Sequence, residues 1–210
     1  MGDHAAEVAA FILAGGKSTR MGADKAFVML DGRTLLARVL DVARSVTANV
    51  SIVGDAAKFA AFAPVVEDVF PGCGPLGGIH AALHKGRAEL NLILAVDVPF
   101  VTRELLEYLI SRARNSAAAV TIPRIGGGWQ PLCAVYRREF ADGAEKALRA
   151  GRNKIDALFS DVQVQTIGEQ ELEAAGFSAK MFRNLNTPEE LAAGSEVGTG
   201  VSVTKGPSTA

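Results

Sequence analysis

Val8-Ala-Ala-Phe-Ile-Leu-Ala-Gly-Gly-Lys-Ser-Thr-Arg-Met-Gly-Ala-Asp-Lys25 is the stretch from which the rest of the chain is read. Its apolar run, Val8 to Leu13, predicts a buried strand. Ala14, Gly15 and Gly16 follow without bulky side chains, so backbone N–H groups there can approach a ligand closely. Three cations come next, Lys17, Arg20 and Lys25. Bare backbone donors beside positive charge suit a polyphosphate, which points to a nucleoside triphosphate site. Lys17 itself reads as a solvated loop residue.

Two larger classes of nucleotide protein fail on spacing. Gly16-Lys17-Ser18 looks like part of a P-loop, but the glycine required five residues earlier is Phe11, inside the strand. G-x-G-x-x-G fails as well, because the glycines stand at 15, 16 and 22.

At 210 residues, 49% hydrophobic and 21% charged, the chain can build a packed core. The formal net charge of −1 gives no reason to expect nucleic acid or an anionic membrane as partner. No apolar run reaches the ~18 residues of a membrane span, and the acidic start, Met1-Gly-Asp-His-Ala-Ala-Glu7, does not read as a signal peptide. Cys73 and Cys133 have no CxxC partner, which implies reduced thiols and a cytoplasmic setting.

Outward from the opening stretch, Asp31-Gly32 closes a short apolar piece, and Leu35, Leu36, Val39, Leu40, Ala43 and Val46 fall at helical spacing. Val50–Val53 and Val65-Val66 predict strands ended by Gly54-Asp55 and Glu67-Asp68, with a short helix over 58–62 between them. Pro71 to Ile79, with four glycines and two prolines, predicts a rigid loop leading into a helix over 79–85. Leu90 to Val96 is a near-continuous apolar run, as in a central strand covered on both faces, and ends at Asp97-Val98-Pro99. Thr102 predicts the cap of a helix carrying Leu105, Leu106, Leu109 and Ile110. Strands over 117–122 and 132–136 flank the glycine-rich turn Arg124 to Pro131. A helix over 138–150, an edge strand over 162–167 and a helix over 169–175 follow. Thr187 with Glu190, and Pro188 between them, form a helix start. The composition expected for 1–193 is one domain, and 194–210 reads as a disordered tail. Strands alternating with helices predict an α/β, Rossmann-like three-layer sandwich with a mostly parallel central sheet, whose ligands sit at the carboxyl ends of the strands.

Leu13 to Lys25 resembles the nucleotidyltransferase signature LAGG-x-S-x-RMG-x-DK with every signature position filled. The resemblance continues through Gly74-Pro-Leu-x-Gly-Ile79, Asp97-Val-Pro-Phe100, Gln130-Pro-Leu132 and Asn184-Leu-Asn-Thr-Pro-Glu-Glu-Leu191, nearly the whole chain outside the tail. The combination is similar to the molybdenum cofactor guanylyltransferase family. That resemblance implies transfer of GMP from GTP to molybdopterin cofactor, with release of pyrophosphate and Mg²⁺ as the metal. It implies catalytic roles for Arg20, Lys25 and Asp97, with Asp97 on the metal. The nucleotide would be bound by Leu13, Ala14, Gly15, Gly16, Lys25, Asp68 and Asp97, and the acceptor by Gln130, Asn184 and Asn186. Transient contact with cofactor insertion proteins and molybdoenzymes is implied in the same way. At the position after the second strand, where the family often carries an amide, this chain has Gly54.

Elementary chemistry agrees with these roles. The attacking group is a phosphate oxygen, already partly ionised, so no protein nucleophile is needed and catalysis consists of positioning and charge neutralisation. A carboxylate such as Asp68 can accept from both guanine N1–H and N2–H₂, with Glu67 and Asp55 as nearby alternatives. A cytidylyl or sugar-phosphate nucleotidyltransferase, and a non-catalytic nucleotide-binding module, are the other readings of the same motifs. His80 and His84, four residues apart, read as a solvent-facing pair rather than a metal site, and Cys73 as a passive small residue. Trp129 has two open readings, stacking on the pterin or capping the core.

Overall fold

The computed structural model describes residues 7–15 and 24–185. Gly16, Lys17, Arg20, Asn186, the Thr187–Glu190 helix start and the tail from Gly194 lie outside the described residues.

The opening apolar run is β1 (Val8–Leu13), buried at every position. A tight hairpin, β2 (Met29–Leu30) and β3 (Arg33–Thr34), turns through Asp31 and Gly32, both at positive φ. Asp at the first of these positions and Gly at the second is what such a two-residue turn selects. Thr34 caps α1 (Leu35–Arg44), its side chain accepting from Ala37 N at 3.2 Å. Then follow β4 (Val50–Val53), α2 (Ala56–Phe59), β5 (Val65–Val66), α3 (Pro75–Lys85) and β6 (Leu90–Ala95). The second half runs α4 (Arg103–Arg114), β7 (Val120–Ile125), β8 (Gly128–Trp129), β9 (Cys133–Arg137), α5 (Phe140–Arg149), β10 (Val164–Gly168) and α6 (Glu169–Ala174).

The strands pair in the order β10-β7-β9-β6-β1-β4-β5, with β8 folded back on β7. All pairings along this order are parallel except those made by β9, which runs against both β6 and β7. The expected mostly parallel sheet is therefore present, and β10 is an edge strand as its alternation predicts. Side-chain alternation along β1 divides the core. Val8, Ala10 and Ile12 face a cluster containing α1 and α4 residues, whereas Ala9, Phe11 and Leu13 face one containing α3 and α5 residues. Helices thus cover both faces, which gives the three layers.

Among the boundaries that differ from expectation are those of α3, α2 and β7. α3 begins at Pro75, not Ile79. Gly74, at φ 69°, turns the chain, and Pro75 enters the helix at its first turn, where its missing N–H costs nothing. Gly77 and Gly78 are helix interior because the helix lies close to its neighbours: a Cβ on Gly78 would stand 3.2 Å from the Leu13 side chain. α2 starts at Ala56, capped by Asp55, whose carboxylate accepts from Ala57 N at 2.8 Å. β7 lies three residues later than its alanine-rich approach suggests.

Leu94 is fully buried in the central strand. Leu94→Ala is expected to cost about 2–5 kcal/mol, read as a lower urea midpoint at unchanged denaturant slope.

Candidate active site

Parallel register brings four strand ends level. Leu13 stands opposite both Val53 and Ala95, and Val53 stands opposite Val66. The residues that follow these ends, Ala14-Gly15, Gly54-Asp55, Glu67-Asp68 and Val96-Asp97, therefore line one rim. Two backbone bonds extend the pairing beyond the strands: Ala14 N donates to Val53 O at 3.0 Å, and Val96 N to Leu13 O at 3.2 Å.

Across this rim Lys25 Nζ donates to Asp97 Oδ2 at 2.9 Å, joining residues 72 apart in sequence. Both side chains are partly shielded, at 21% and 19% exposure, and remain reachable from solvent. Lys25 opens a single 3-10 turn, Lys25–Phe27, anchored by the fully buried Ala26. Asp24 caps that turn by accepting from Ala26 N at 3.2 Å, and its other oxygen receives Lys58 Nζ at 3.0 Å from α2. The Asp24–Lys58 clasp was not read from the sequence. Asp24 belongs to the signature, but nothing local links it to a lysine 34 residues away.

On the α3 side, the Asp68 carboxylate accepts from Phe70 N at 2.9 Å. It also lies over Gly77, where a Cβ would be 2.9 Å from Oδ2. Gly77 and Gly78 thus let α3 seat Asp68 on one residue and Leu13 on the next. Of the alternatives to Asp68, Asp55 is occupied in capping α2 and Glu67 is exposed. Gly15 packs against Gly54, and a Cβ on Gly54 would meet the Phe59 ring at 3.0 Å. A side chain at Gly54 would require that ring to shift.

The opposite side of the rim carries Gln130 and Asn184, two of the three residues expected at the acceptor. The Gln130-Pro131-Leu132 turn is held by Gln130 N donating to Pro123 O at 3.0 Å and Ala95 N to Leu132 O at 2.8 Å. Tyr136 Oη donates to Pro131 O at 2.9 Å. Leu185 is fully buried, and its N–H donates to Asp97 O at 3.0 Å, which brings the exposed Asn184 beside the Asp97 segment. Of the two readings of Trp129, the structure gives the packing one. Its ring meets Phe159 edge-on at 5.4 Å, under the Arg124 guanidinium at 5.1 Å.

The solvent-facing reading of the histidine pair is overturned. His80 is 2% exposed because α3 packs against α5 on that face, and only His84 is exposed. Both cysteines are free, and burial pushes the Cys133 thiol up to about 12, so it stays protonated and inert. Among the described residues no helix is long and apolar enough to cross a membrane.

The rim of this α/β sandwich thus brings together the glycine turn, the lysine and the opposed carboxylate that the sequence led us to expect of a nucleotidyltransferase. The profile of the MobA-like NTP transferase domain matches residues 10–166, and the chain belongs to that family. A molybdenum cofactor guanylyltransferase of Desulfosudis oleivorans is 38% identical over 88% of this chain and 92% of its own length. A relative from Pelotomaculum thermopropionicum is 37% identical over 86% of this chain and 88% of its own. Molybdopterin-guanine dinucleotide biosynthesis protein A of Archaeoglobus fulgidus, a solved structure, superposes with a TM-score of 0.80 at 31% identity, covering 90% of this chain and 97% of that one.

Partly exposed ion pairs contribute about 1 kcal/mol or less. Lys25→Ala and Asp97→Asn should therefore leave thermal unfolding within a few degrees of the parent by calorimetry; a collapse of folding in either would make the pair structural.

Proposed function

We propose that this chain transfers GMP from GTP to the terminal phosphate of a molybdopterin cofactor and releases pyrophosphate, with Mg²⁺ as the metal. The Lys25–Asp97 pair carries the reading. It sets a cation and a carboxylate 2.9 Å apart on the rim that Ala14 and Gly15 also line. The names borne by the Desulfosudis oleivorans and Archaeoglobus fulgidus relatives support guanine as the base and the pterin cofactor as acceptor.

Asp97 fits the metal. Mg²⁺ takes one or two carboxylates and fills its shell with phosphate oxygens and water. Among the described residues there is no cluster of three or more acidic, His or Cys ligands, which suits a cation held mainly through the substrate. When bound, the metal supplies charge neutralisation on the phosphates. Lys25 turns from Asp97 to the triphosphate and offsets charge on the departing pyrophosphate, a role Arg20 shares on this reading. Leu13, Ala14, Gly15 and Gly16 offer backbone to the nucleotide, and Asp68 accepts from guanine N1–H and N2–H₂. Gln130, Asn184 and Asn186 hold the acceptor so that its phosphate oxygen attacks the α-phosphorus. The new P–O bond forms as the bond to the β-phosphate breaks. No covalent enzyme intermediate is required.

Purified protein with GTP, Mg²⁺ and molybdenum-loaded molybdopterin should yield pyrophosphate, and Lys25→Ala and Asp97→Asn should each lower the rate by about 10²–10³-fold. Calorimetric titration with Mg²⁺ and each of GTP, CTP, ATP and UTP tests the base. Clear CTP preference would replace the guanylyl reading with a cytidylyl one, and nucleotide binding without turnover would leave a binding module.

A further inference from the structure

His80 lies one turn beyond Gly77 on α3, so it shares the helix face on which Asp68 is seated. Phe70, whose N–H bonds Asp68 Oδ1, meets the His80 ring edge-on at 5.0 Å. His84 stacks on the other side of the imidazole at 5.4 Å. From α5, Glu145 Oε2 faces His80 Nε2 at 3.9 Å. Its Oε1 is already held by Arg149, at 2.9 Å from Nε and 2.6 Å from a terminal nitrogen. The same Arg149 guanidinium covers the Phe70 ring at 5.9 Å. The groups that act on His80 are thus Glu145 and Arg149 on α5, His84 on its own helix and Asp68 on the loop. At 2% exposure, neither ring nitrogen has a hydrogen-bond partner.

We propose that neutral His80 is a positioning residue for the nucleotide site: it holds Phe70, and through it the Asp68 carboxylate, in the binding arrangement, and protonation releases both. The inference rests on the reading of Asp68 as a base contact. A proton on the buried imidazole needs an anion, and Glu145 is within 4 Å. Engaging Glu145 draws it from Arg149 and removes the cover from Phe70. Burial, the largest influence, lowers the proton affinity of His80 below its ordinary value near 6.5, while Glu145 opposes the shift. The sign follows. The neutral arrangement is intact above the unfolded value and is lost as the pH falls toward the lower folded one.

Calorimetry with Mg²⁺ and GTP between about pH 8 and pH 5 should show wild-type affinity flat at first and then falling by about tenfold. His80→Phe keeps a neutral ring and should abolish that additional fall; His80→Gln serves if the phenylalanine variant folds poorly. Ionisation of the nucleotide's own phosphate is common to all the proteins and is removed by comparing them. Glu145→Gln should move the inflection to lower pH. In unliganded protein the Phe70 amide resonance should titrate with the His80 ring protons. An equal fall in His80→Phe or His80→Gln and wild type, or a Phe70 amide that ignores His80 titration, overturns the inference. Failure to bind any nucleotide at any pH overturns the functional reading instead, and the amide titration still decides the role of His80.

Discussion

The Lys25–Asp97 contact joins the end of the central strand β6 to the turn that follows the opening stretch. Asp97 lies two residues beyond the end of β6, and Lys25 is presented by the 3-10 turn that buried Ala26 anchors, so residues 72 apart in sequence meet at 2.9 Å. Opposite charges held this way wait as a neutral pair on a rim open to solvent. On the proposed reading, a metal–triphosphate complex would offer the carboxylate a cation and the lysine an anion, so the pair could exchange partners without leaving an uncompensated charge. The Asp24 cap, the Lys58 clasp and the buried Ala26 hold the lysine turn. Leu185 holds the carboxylate segment from the other direction.

The second constraint is proximity of backbone. α3 approaches the sheet closely enough that Gly78 touches Leu13 and Gly77 lies beneath Asp68. A side chain at either position would push the helix away from the rim or the carboxylate out of it. Phe59 enforces the same economy at Gly54. The side proposed for the nucleotide is therefore shaped by absent side chains, and the side proposed for the acceptor by a strapped turn, Gln130 to Leu132, and by the chain passing Asp97 at Asn184 and Leu185.

His80 is one of several polar side chains buried in the core that the proposed transfer does not touch. His80, on α3, faces α5 and Phe70 of the loop that carries Asp68, and in the role proposed for it its protonation would bear on the geometry of the rim.

By itself the sequence determined the layered α/β class and made the opening turn, Lys25, Asp97 and Asp68 candidates for a polyphosphate site. Those follow from local facts: uninterrupted apolar runs, glycines before cations, and carboxylates after strands. The start of α3 was hidden because glycine and proline argue against helix unless the neighbour that requires a bare backbone is known. The burial of His80, the packing of Trp129 and the Asp24–Lys58 clasp were hidden for a related reason. Each depends on an element far away in sequence, α5, the Phe159 segment or α2. Only the tertiary structure decided which candidates share a rim, because strand order and register, not spacing along the chain, set the distance between them.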